Sequence, residues 1–385
     1  MRIGIDYRSA LINAEGIGRY VRELVRAMVE MNFDERLGLF GYTLTGKRYS
    51  LEELGIKGSR AELCRLRFPA RWTPWLLEKT GKGVDDLVGG AEVFHHILPH
   101  RLEVRQAAQV STIFDAIYTL DAGYLAPEAA AHMTAKAKEL VEHSDRILVP
   151  SEFVGAELVM ALGAHPSRVT VTHLGCDHIV RDLPPEGFGA PRDPYLLTVC
   201  RVDARKNHLR MLEAFEMIVK EGLPHRWIVA GPPGHGSELF EEALANSPAR
   251  DRVDWRKDVP DSELPKLYSQ ATAFLFASLN EGFGFPPLEA MACGTPVISS
   301  CVTSLPEICG DAAFLVEPTE TERIFEATRR LLSEPDLAES FSVVGRQRAR
   351  KFTWAECAKS TLLAYRAAQK GAASSEEPSL LRALQ

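Results

Sequence analysis

The stretch Asn280-Glu281-Gly282-Phe283-Gly284-Phe285-Pro286-Pro287-Leu288-Glu289-Ala290-Met291-Ala292-Cys293-Gly294-Thr295-Pro296 decides how the chain is read. A glycine loop runs into Pro287, an apolar helical run follows, Gly294 stops it and Pro296 opens an extended segment. That punctuation belongs to a loop, helix and strand in an α/β sheet. Amides left unpaired at such a helix start make a site for an anion such as a diphosphate, and glycines let a ligand approach the backbone closely. The amides of Gly282, Phe283 and Gly284 are the candidates. Two carboxylates flank them, Glu281 before the helix and Glu289 in its expected first turn. Carboxylates repel phosphate and accept from hydroxyls, so sugar hydroxyls are their natural partners. For Glu289 a helix-capping or dipole-complementing role is an equally good reading. For Glu281, an acid inside an apolar glycine loop, a merely solvated loop position is the lesser one.

Short apolar runs bounded by turn residues surround this stretch. They fall at Tyr195–Cys200, Trp227–Ala230, Ala273–Phe276, Pro296–Ser299 and Ala313–Val316, with helical patterning from Glu322 almost to Lys370. Upstream, strands are expected at Ile3–Ile5, Glu92–His96, Gln109–Phe114, Arg146–Val149 and Val169–Thr172, and helices around Glu128–His143 and Glu152–Leu162. Gly16 and Gly18 fall in a loop between the first strand and a helix with apolar positions Ile17, Tyr20, Val21, Leu24, Val25 and Met28. Strands alternating with helices build parallel sheets. Between them, residues 181–194 lose periodicity and collect Pro184, Pro185, Gly187, Gly189, Pro191 and Pro194, the composition of a linker. The expected organisation is therefore a first domain over 1–180, a linker over 181–194, a second domain over 195–353, and a loose tail over 371–385.

The bulk numbers agree with two α/β domains. At 385 residues the chain exceeds one ordinary core, and 45% hydrophobic with 25% charged residues is a globular composition. Asp plus Glu outnumber Lys plus Arg by 52 to 45, so no electrostatic case exists for nucleic acid. The seven cysteines contain no C-x-x-C pair and read as free thiols of a reducing compartment, which points to a cytoplasmic protein. No apolar run reaches the length of a membrane span, so any membrane contact is expected to be peripheral.

A second chemical signal is Cys200-Arg201-Val202-Asp203-Ala204-Arg205-Lys206-Asn207, just after the first strand of the second half. Ligands of doubly wound sheets sit beyond the carboxyl ends of strands, which places Arg201 and Lys206 to reach a leaving diphosphate. A basic loop alone is more often simply solvated; beside the glutamate loop the balance shifts to function.

The run from Thr198 to Phe215, the Glu281–Pro296 block, the Val259-Pro260-Asp261 turn and Gly16-Ile17-Gly18-Arg19-Tyr20 closely resemble family 4 retaining glycosyltransferases of the GT-B fold. The resemblance spans Ile3 to about Tyr365. It implies two Rossmann-like domains with parallel sheets facing a central cleft, the final helix from about 354 to 370 crossing back onto the first, acceptor-binding domain. It further implies a metal-independent hexosyltransferase with no cofactor, taking a nucleotide-diphosphate sugar as donor, with a leaning to GDP-mannose. The acceptor would be a glycan or lipid-linked saccharide in polysaccharide biosynthesis. Position by position, Arg201 and Lys206 resemble the pair that neutralises the donor diphosphate, Glu281 the acid that contacts the transferred sugar, and Glu289 the acid that holds the ribose. Gly282, Phe283 and Gly284 would face the donor, the Val259 segment its base, and Gly16 and Gly18 the opposite side of the cleft.

One departure stands out. Family members often carry His-Asp where this chain has Phe114-Asp115, so an imidazole is missing and Asp115 remains as a polar contact or a structural loop residue. His95, His96 and His100 lack a nucleophile at readable spacing, and no metal site is expected. The stretch from Arg65 to Lys82 mixes five basic residues with Phe68, Trp72, Trp75 and Leu76. It reads as a core helix with a basic outer face, the favoured reading, or as an interfacial patch at the inner face of a membrane. Competing functions are another GT-B enzyme, such as an epimerase or a pyridoxal-dependent phosphorylase, and a non-catalytic scaffold that binds sugar nucleotide.

Overall fold

The computed structural model describes residues 1–12, 16–31, 33–43, 51–52, 56, 60–97, 100–120, 123–181, 183 and 193–371. The chain divides into two compact units, Met1–Leu174 together with the chain from Trp354, and Gly175–Thr353. The second unit begins at Gly175, ahead of the expected linker; most of 181–194, and the tail from 372, lie outside the described residues.

The first unit holds seven parallel strands: β1 (Arg2–Asp6), β2 (Arg36–Tyr42), β3 (Ala61–Leu66), β4 (Val93–His96), β5 (Ala108–Thr112), β6 (Arg146–Val149) and β7 (Val169–Val171). Their order across the sheet is β3-β2-β1-β4-β5-β6-β7. Sequential strands run outward from β1 in one direction and then from β4 in the other, so the order reverses between β1 and β4, the crevice-forming point of a doubly wound sheet. One face is packed by Phe40, Val84, Val88, Phe94 and Leu102. Another cluster gathers Ile113, Leu140, Ile147, Val154 and Leu158 against the helices Pro127–His143 and Glu152–Leu162.

The helix Trp354–Gln369 is part of this first unit. Its Tyr365 hydroxyl lies 2.6 Å from His95 Nδ1, and Trp354 packs 6.1 Å from the Tyr20 ring. Arg366 pairs with Glu35 at 2.8 Å. His95 is thereby committed to structure, its other nitrogen 2.6 Å from Thr112 Oγ1. Burial, reinforced by His96, pushes His95 down to about 3, so the ring is neutral.

The second unit holds six parallel strands, β8 (Asp193–Val199), β9 (Arg226–Ala230), β10 (Val253–Arg256), β11 (Ala271–Phe276), β12 (Val297–Ser300) and β13 (Ala313–Val316), in the order β10-β9-β8-β11-β12-β13. The reversal here lies between β8 and β11. Central strands such as β11 are buried almost end to end, which is why they read as continuous apolar runs. Trp227, Phe215, Phe240, Leu275 and Ile324 form the core.

The stretch from Arg65 to Lys82 is not one helix. It continues β3, turns through Ala70–Trp72 and enters the helix Thr73–Thr80, and Trp72 and Trp75 are each 49% exposed rather than in the core.

Candidate functional site

In the second unit the loops after β8 and β11 leave the sheet on either side of its switch point, and the polar residues singled out in sequence sit on them. After β8 the chain enters a short 3-10 turn, Ala204–Lys206, which ends on Asn207 in the left-handed region at φ 63°. Asn207 holds that conformation by donating its side-chain amide to Ala277 O at 2.9 Å and Pro318 O at 2.8 Å. The β11 loop is locked to the same turn: Leu279 N donates to Arg205 O at 2.8 Å, and Ser278 Oγ lies 3.2 Å from the same carbonyl.

This frame brings Lys206 and Glu281 together as an ion pair, Nζ to Oε1, with both side chains about nine-tenths buried. Arg205 adds a second cation, its Nη1 3.4 Å from Glu281 Oε2 and 2.9 Å from Asn280 O. Lys206 Nζ also sits 5.2 Å from the centroid of Phe276, a cation–π contact that a desolvated ammonium favours. Burial alone would raise the Glu281 carboxyl; the charges of Lys206 and Arg205 outweigh it and hold Glu281 below the ordinary carboxylate value. An ammonium has three N–H donors, and Glu281 is its one hydrogen-bond acceptor among the described residues.

Beyond Glu281 the glycine loop is pinned from the other side. Ser304 Oγ lies 2.9 Å from both Glu281 O and Phe283 O, and Glu281 N donates to Thr303 Oγ1 at 3.2 Å. Gly284 precedes the helix Phe285–Ala292 at φ 113°, and a Cβ there would lie 2.7 Å from Leu305 Cδ2, so only glycine fits. At the other end Gly294, at φ 78°, closes a Schellman motif: its amide donates to Met291 O at 2.9 Å and Thr295 N to Ala290 O at 2.9 Å.

Glu289 is the fifth residue of this helix, and no acid occupies its first turn. That removes the first-turn position expected from the sequence, and with it the capping reading. Its carboxylate is instead buried at 2% exposure between Tyr268, whose hydroxyl donates to Oε2 at 2.9 Å, and His178, whose Nε2 lies 3.1 Å from Oε1. Residues 175–180 belong to the second unit, and the 3-10 turn Asp177–Val180 carries His178 to this helix.

The remaining expected residues are more dispersed. Arg201 is exposed and lies across Gly234, where a Cβ would approach its stem to 2.8 Å; Arg205 takes the place beside Glu281 that the sequence reading did not give it. Val259 is half-buried just beyond β10. Gly16, Gly18 and Asp115 belong to the first unit. Gly16 starts the helix Ile17–Glu30 at φ 54° with open space around it, and Gly18 is buried in its first turn. Asp115 follows β5; after burial, its charge is what raises the neighbouring Glu157 carboxyl to about 7.

Residues 183–348 match the family described as "Glycosyl transferases group 1". Over that span the chain carries a group 1 glycosyl transferase domain. It is 28% identical over 375 residues to the O-antigen chain mannosyltransferase B of Escherichia coli, covering 91% of this chain and 96% of that one. It is 29% identical over 263 residues to a D-inositol 3-phosphate glycosyltransferase of Streptomyces bingchenggensis, covering 64% of this chain and 57% of the relative. Among solved structures, sucrose-phosphate synthase from Thermosynechococcus elongatus superimposes with a TM-score of 0.75 at 20% identity over 97% of this chain and 100% of that one. The Anabaena HepE protein in complex with UDP and glucose does so with a TM-score of 0.70 at 15% identity over 94% and 98%. The chain therefore has the GT-B fold of two Rossmann-like α/β domains.

Proposed function

We propose that the chain is a retaining, metal-independent hexosyltransferase that moves mannose from GDP-mannose to a glycan or lipid-linked acceptor during polysaccharide assembly. The observation that carries this is the buried Lys206–Glu281 pair, joined by the part-exposed Arg205, at the switch point of the second unit beside a glycine-opened helix start. Mannose as the transferred sugar follows the similarity to the O-antigen mannosyltransferase, which spans nearly the whole of both chains, and the GDP carrier follows the family resemblance of the sequence.

In this reading the donor diphosphate takes the remaining N–H donors of Lys206, together with the charge of Arg205 and the amides of Phe283 and Gly284, while Arg201 neutralises it from the solvent side. Glu281 fixes Lys206 and receives hydroxyls of the transferred sugar. Glu289, oriented by Tyr268 and His178, receives the ribose hydroxyls, and the Val259 segment meets the base. The bond from C1 to the phosphate oxygen breaks as the acceptor oxygen bonds C1 on the same face, and the acceptor proton passes to the departing phosphate. The first unit supplies acceptor recognition, with Gly16, Gly18 and Asp115 along it. Charge placed beforehand where the leaving group develops is worth about 3 kcal/mol per contact or more.

The test is a panel of nucleotide sugars with a mannoside acceptor, run with and without excess chelator, and proton NMR of the early product. The expected result is transfer from GDP-mannose in chelator with the anomeric configuration kept. Binding without turnover would make the chain a scaffold, and an inverted centre or magnesium dependence would remove the retaining, metal-free mechanism.

The chain works in the cytoplasm at a membrane surface in this reading. No helix among the described residues is long and apolar enough to cross a membrane. The paired, half-exposed Trp72 and Trp75, 6.4 Å apart, with Arg71 5.6 Å over Trp72, suit the headgroup layer of an anionic bilayer. Flotation with anionic vesicles should lose the Trp72→Ser/Trp75→Ser variant; equal flotation of variant and wild type would reject the contact.

A further inference from the structure

Among the described residues other than glycine, two stand in the left-handed region, Asn207 at φ 63° and Thr303 at φ 59°. Both hold the frame of the Lys206–Glu281 pair: Asn207 ends the turn that carries Lys206, and Thr303 Oγ1 accepts the backbone amide of Glu281 at 3.2 Å. They differ in what the conformation costs. Asparagine visits this region readily, and its side-chain amide is occupied by two carbonyls. Threonine branches at Cβ, and a branched side chain there is an outlier that persists only where its surroundings over-determine it. Such strain collects at functional sites.

Thr303 lies between β12 and the helix Leu305–Cys309, in a turn closed by Leu305 N donating to Val302 O at 3.3 Å. A glycine would take φ 59° there without strain, as Gly284 takes φ 113° before the helix Phe285–Ala292. What threonine adds is its side chain, and the contact of that side chain is the Glu281 amide. Glu281 is 8% exposed, so an amide left unpaired there is costly. On the other side of the same Cα, Ser304 Oγ holds the Glu281 carbonyl. Fixing both peptide groups fixes the direction of the Cα–Cβ bond, and with it the reach of the carboxylate toward Lys206 and Arg205.

We propose that Thr303 is a positioning residue: its strained backbone is retained because its hydroxyl sets the Glu281 amide, which aims the carboxylate at Lys206 on one side and at a hydroxyl of the transferred sugar on the other. The proposal rests on the reading of Glu281 as the acid that meets the sugar, and it adds the residue on which that contact depends. Stability and function should then separate, since strain governs the first and the hydroxyl the second. Thr303→Gly removes both strain and hydroxyl, Thr303→Val removes the hydroxyl and keeps the strain, and Thr303→Ser keeps the hydroxyl.

The full chain and the three variants are melted by differential scanning calorimetry and titrated calorimetrically with GDP-mannose and with GDP. Thr303→Gly should melt above Thr303→Val, because it sheds the strain that valine keeps. Both should lower the ratio of GDP-mannose to GDP affinity by about tenfold or more, the worth of a charged hydrogen bond, with GDP affinity itself within about threefold of wild type. Thr303→Ser should keep the wild-type ratio. A ratio unchanged in the glycine and valine variants, a ratio that follows melting temperature instead of the hydroxyl, or a serine variant that fails as valine does overturns the assignment. Thr303→Gly adds no strain, so it decides the point even where Thr303→Val does not fold. A second readout needs no ligand: the 13C signal of the Glu281 carboxyl, assigned by its loss in Glu281→Gln. Against burial, Lys206 and Arg205 hold this carboxyl below its ordinary value. Its acid midpoint should rise in the glycine and valine variants and stay in serine, and an unmoved midpoint in both overturns the aiming. If GDP-mannose is bound and never transferred, the proposed activity fails and the affinity ratio still decides Thr303; if it is not bound, the donor reading fails and the midpoint decides.

Discussion

Lys206→Met isolates the energetics of the Lys206–Glu281–Arg205 cluster, because it deletes one charge of a pair that is about nine-tenths buried on both sides. Removing one member of a buried pair costs about 3–5 kcal/mol, since the other charge stays behind uncompensated. Here Arg205 remains 3.4 Å from the second Glu281 oxygen, on a side chain 28% exposed, and this places the expected loss near the lower end, about 3 kcal/mol. For a unit of this size each kcal/mol moves the melting temperature by roughly 2–4 °C, so the second unit should melt roughly 6–12 °C lower. Lys206→Met/Glu281→Gln removes both charges while keeping an amide oxygen for Arg205. It should recover most of the loss and give a coupling of about 2 kcal/mol or more in a double-mutant cycle. Differential scanning calorimetry of the wild type, both single variants and the double variant measures this. Additive losses, or a Lys206→Met transition within about 1 °C of wild type, would refute the argument that the pair is buried and mutually dependent.

Acid should act through the same carboxylate. Because Glu281 is held below its ordinary value in the folded chain, its stabilisation is full above the unfolded value of about 4.3 and disappears as pH falls through the lower folded value. The difference in melting temperature between wild type and Glu281→Gln should accordingly shrink on acidification across that window, and a constant difference between pH 7 and 3 would contradict it. The two glutamates should also separate in calorimetric titration with GDP. Glu289→Ala is expected to weaken binding by about ten- to a hundredfold, whereas Glu281→Ala, which removes the carboxylate competing for Lys206, should leave affinity equal or tighter while depressing transfer. Equal losses would mean that the assigned contacts are wrong.

Much of this was legible in the chain because burial on both faces writes itself as uninterrupted apolar residues. β8, β9, β11, β12 and β13 are recognisable in that way. β3 and β10 are not, and both are edge strands whose charged residues, Glu62 and Arg65 in one and Asp254 and Arg256 in the other, resemble loop composition. β2 hides behind Gly38, which reads as a break, although the space of its missing side chain is filled by Val88, 2.7 Å from where a Cβ would stand. At the site, Glu281 and Lys206 were identifiable by residue type and position after strands. Arg205 was not, because the 3-10 turn that aims it at Glu281 rather than into solvent has no signature beyond its basic residues. His178 and Tyr268 lie 111 and 21 residues from the carboxylate they hold, separations that no local spacing encodes.

The cluster is a poor device for stability alone, since apolar residues of the same volume do as well as a buried ion pair or better. Its geometry makes sense as preorganisation. Lys206 is fixed from three directions, by Glu281, by the Phe276 ring and by the turn that Asn207 ties to Ala277 and Pro318, so its ammonium needs no rearrangement to meet an incoming anion. Glu281 serves twice in that arrangement. It gives the buried ammonium its counter-charge, and in the proposed function its own oxygens, already ionised, accept from sugar hydroxyls. A glutamine there would preserve the shape and lose both effects. Replacement of Glu281 by glutamine should for that reason depress turnover far more than it alters the surrounding backbone.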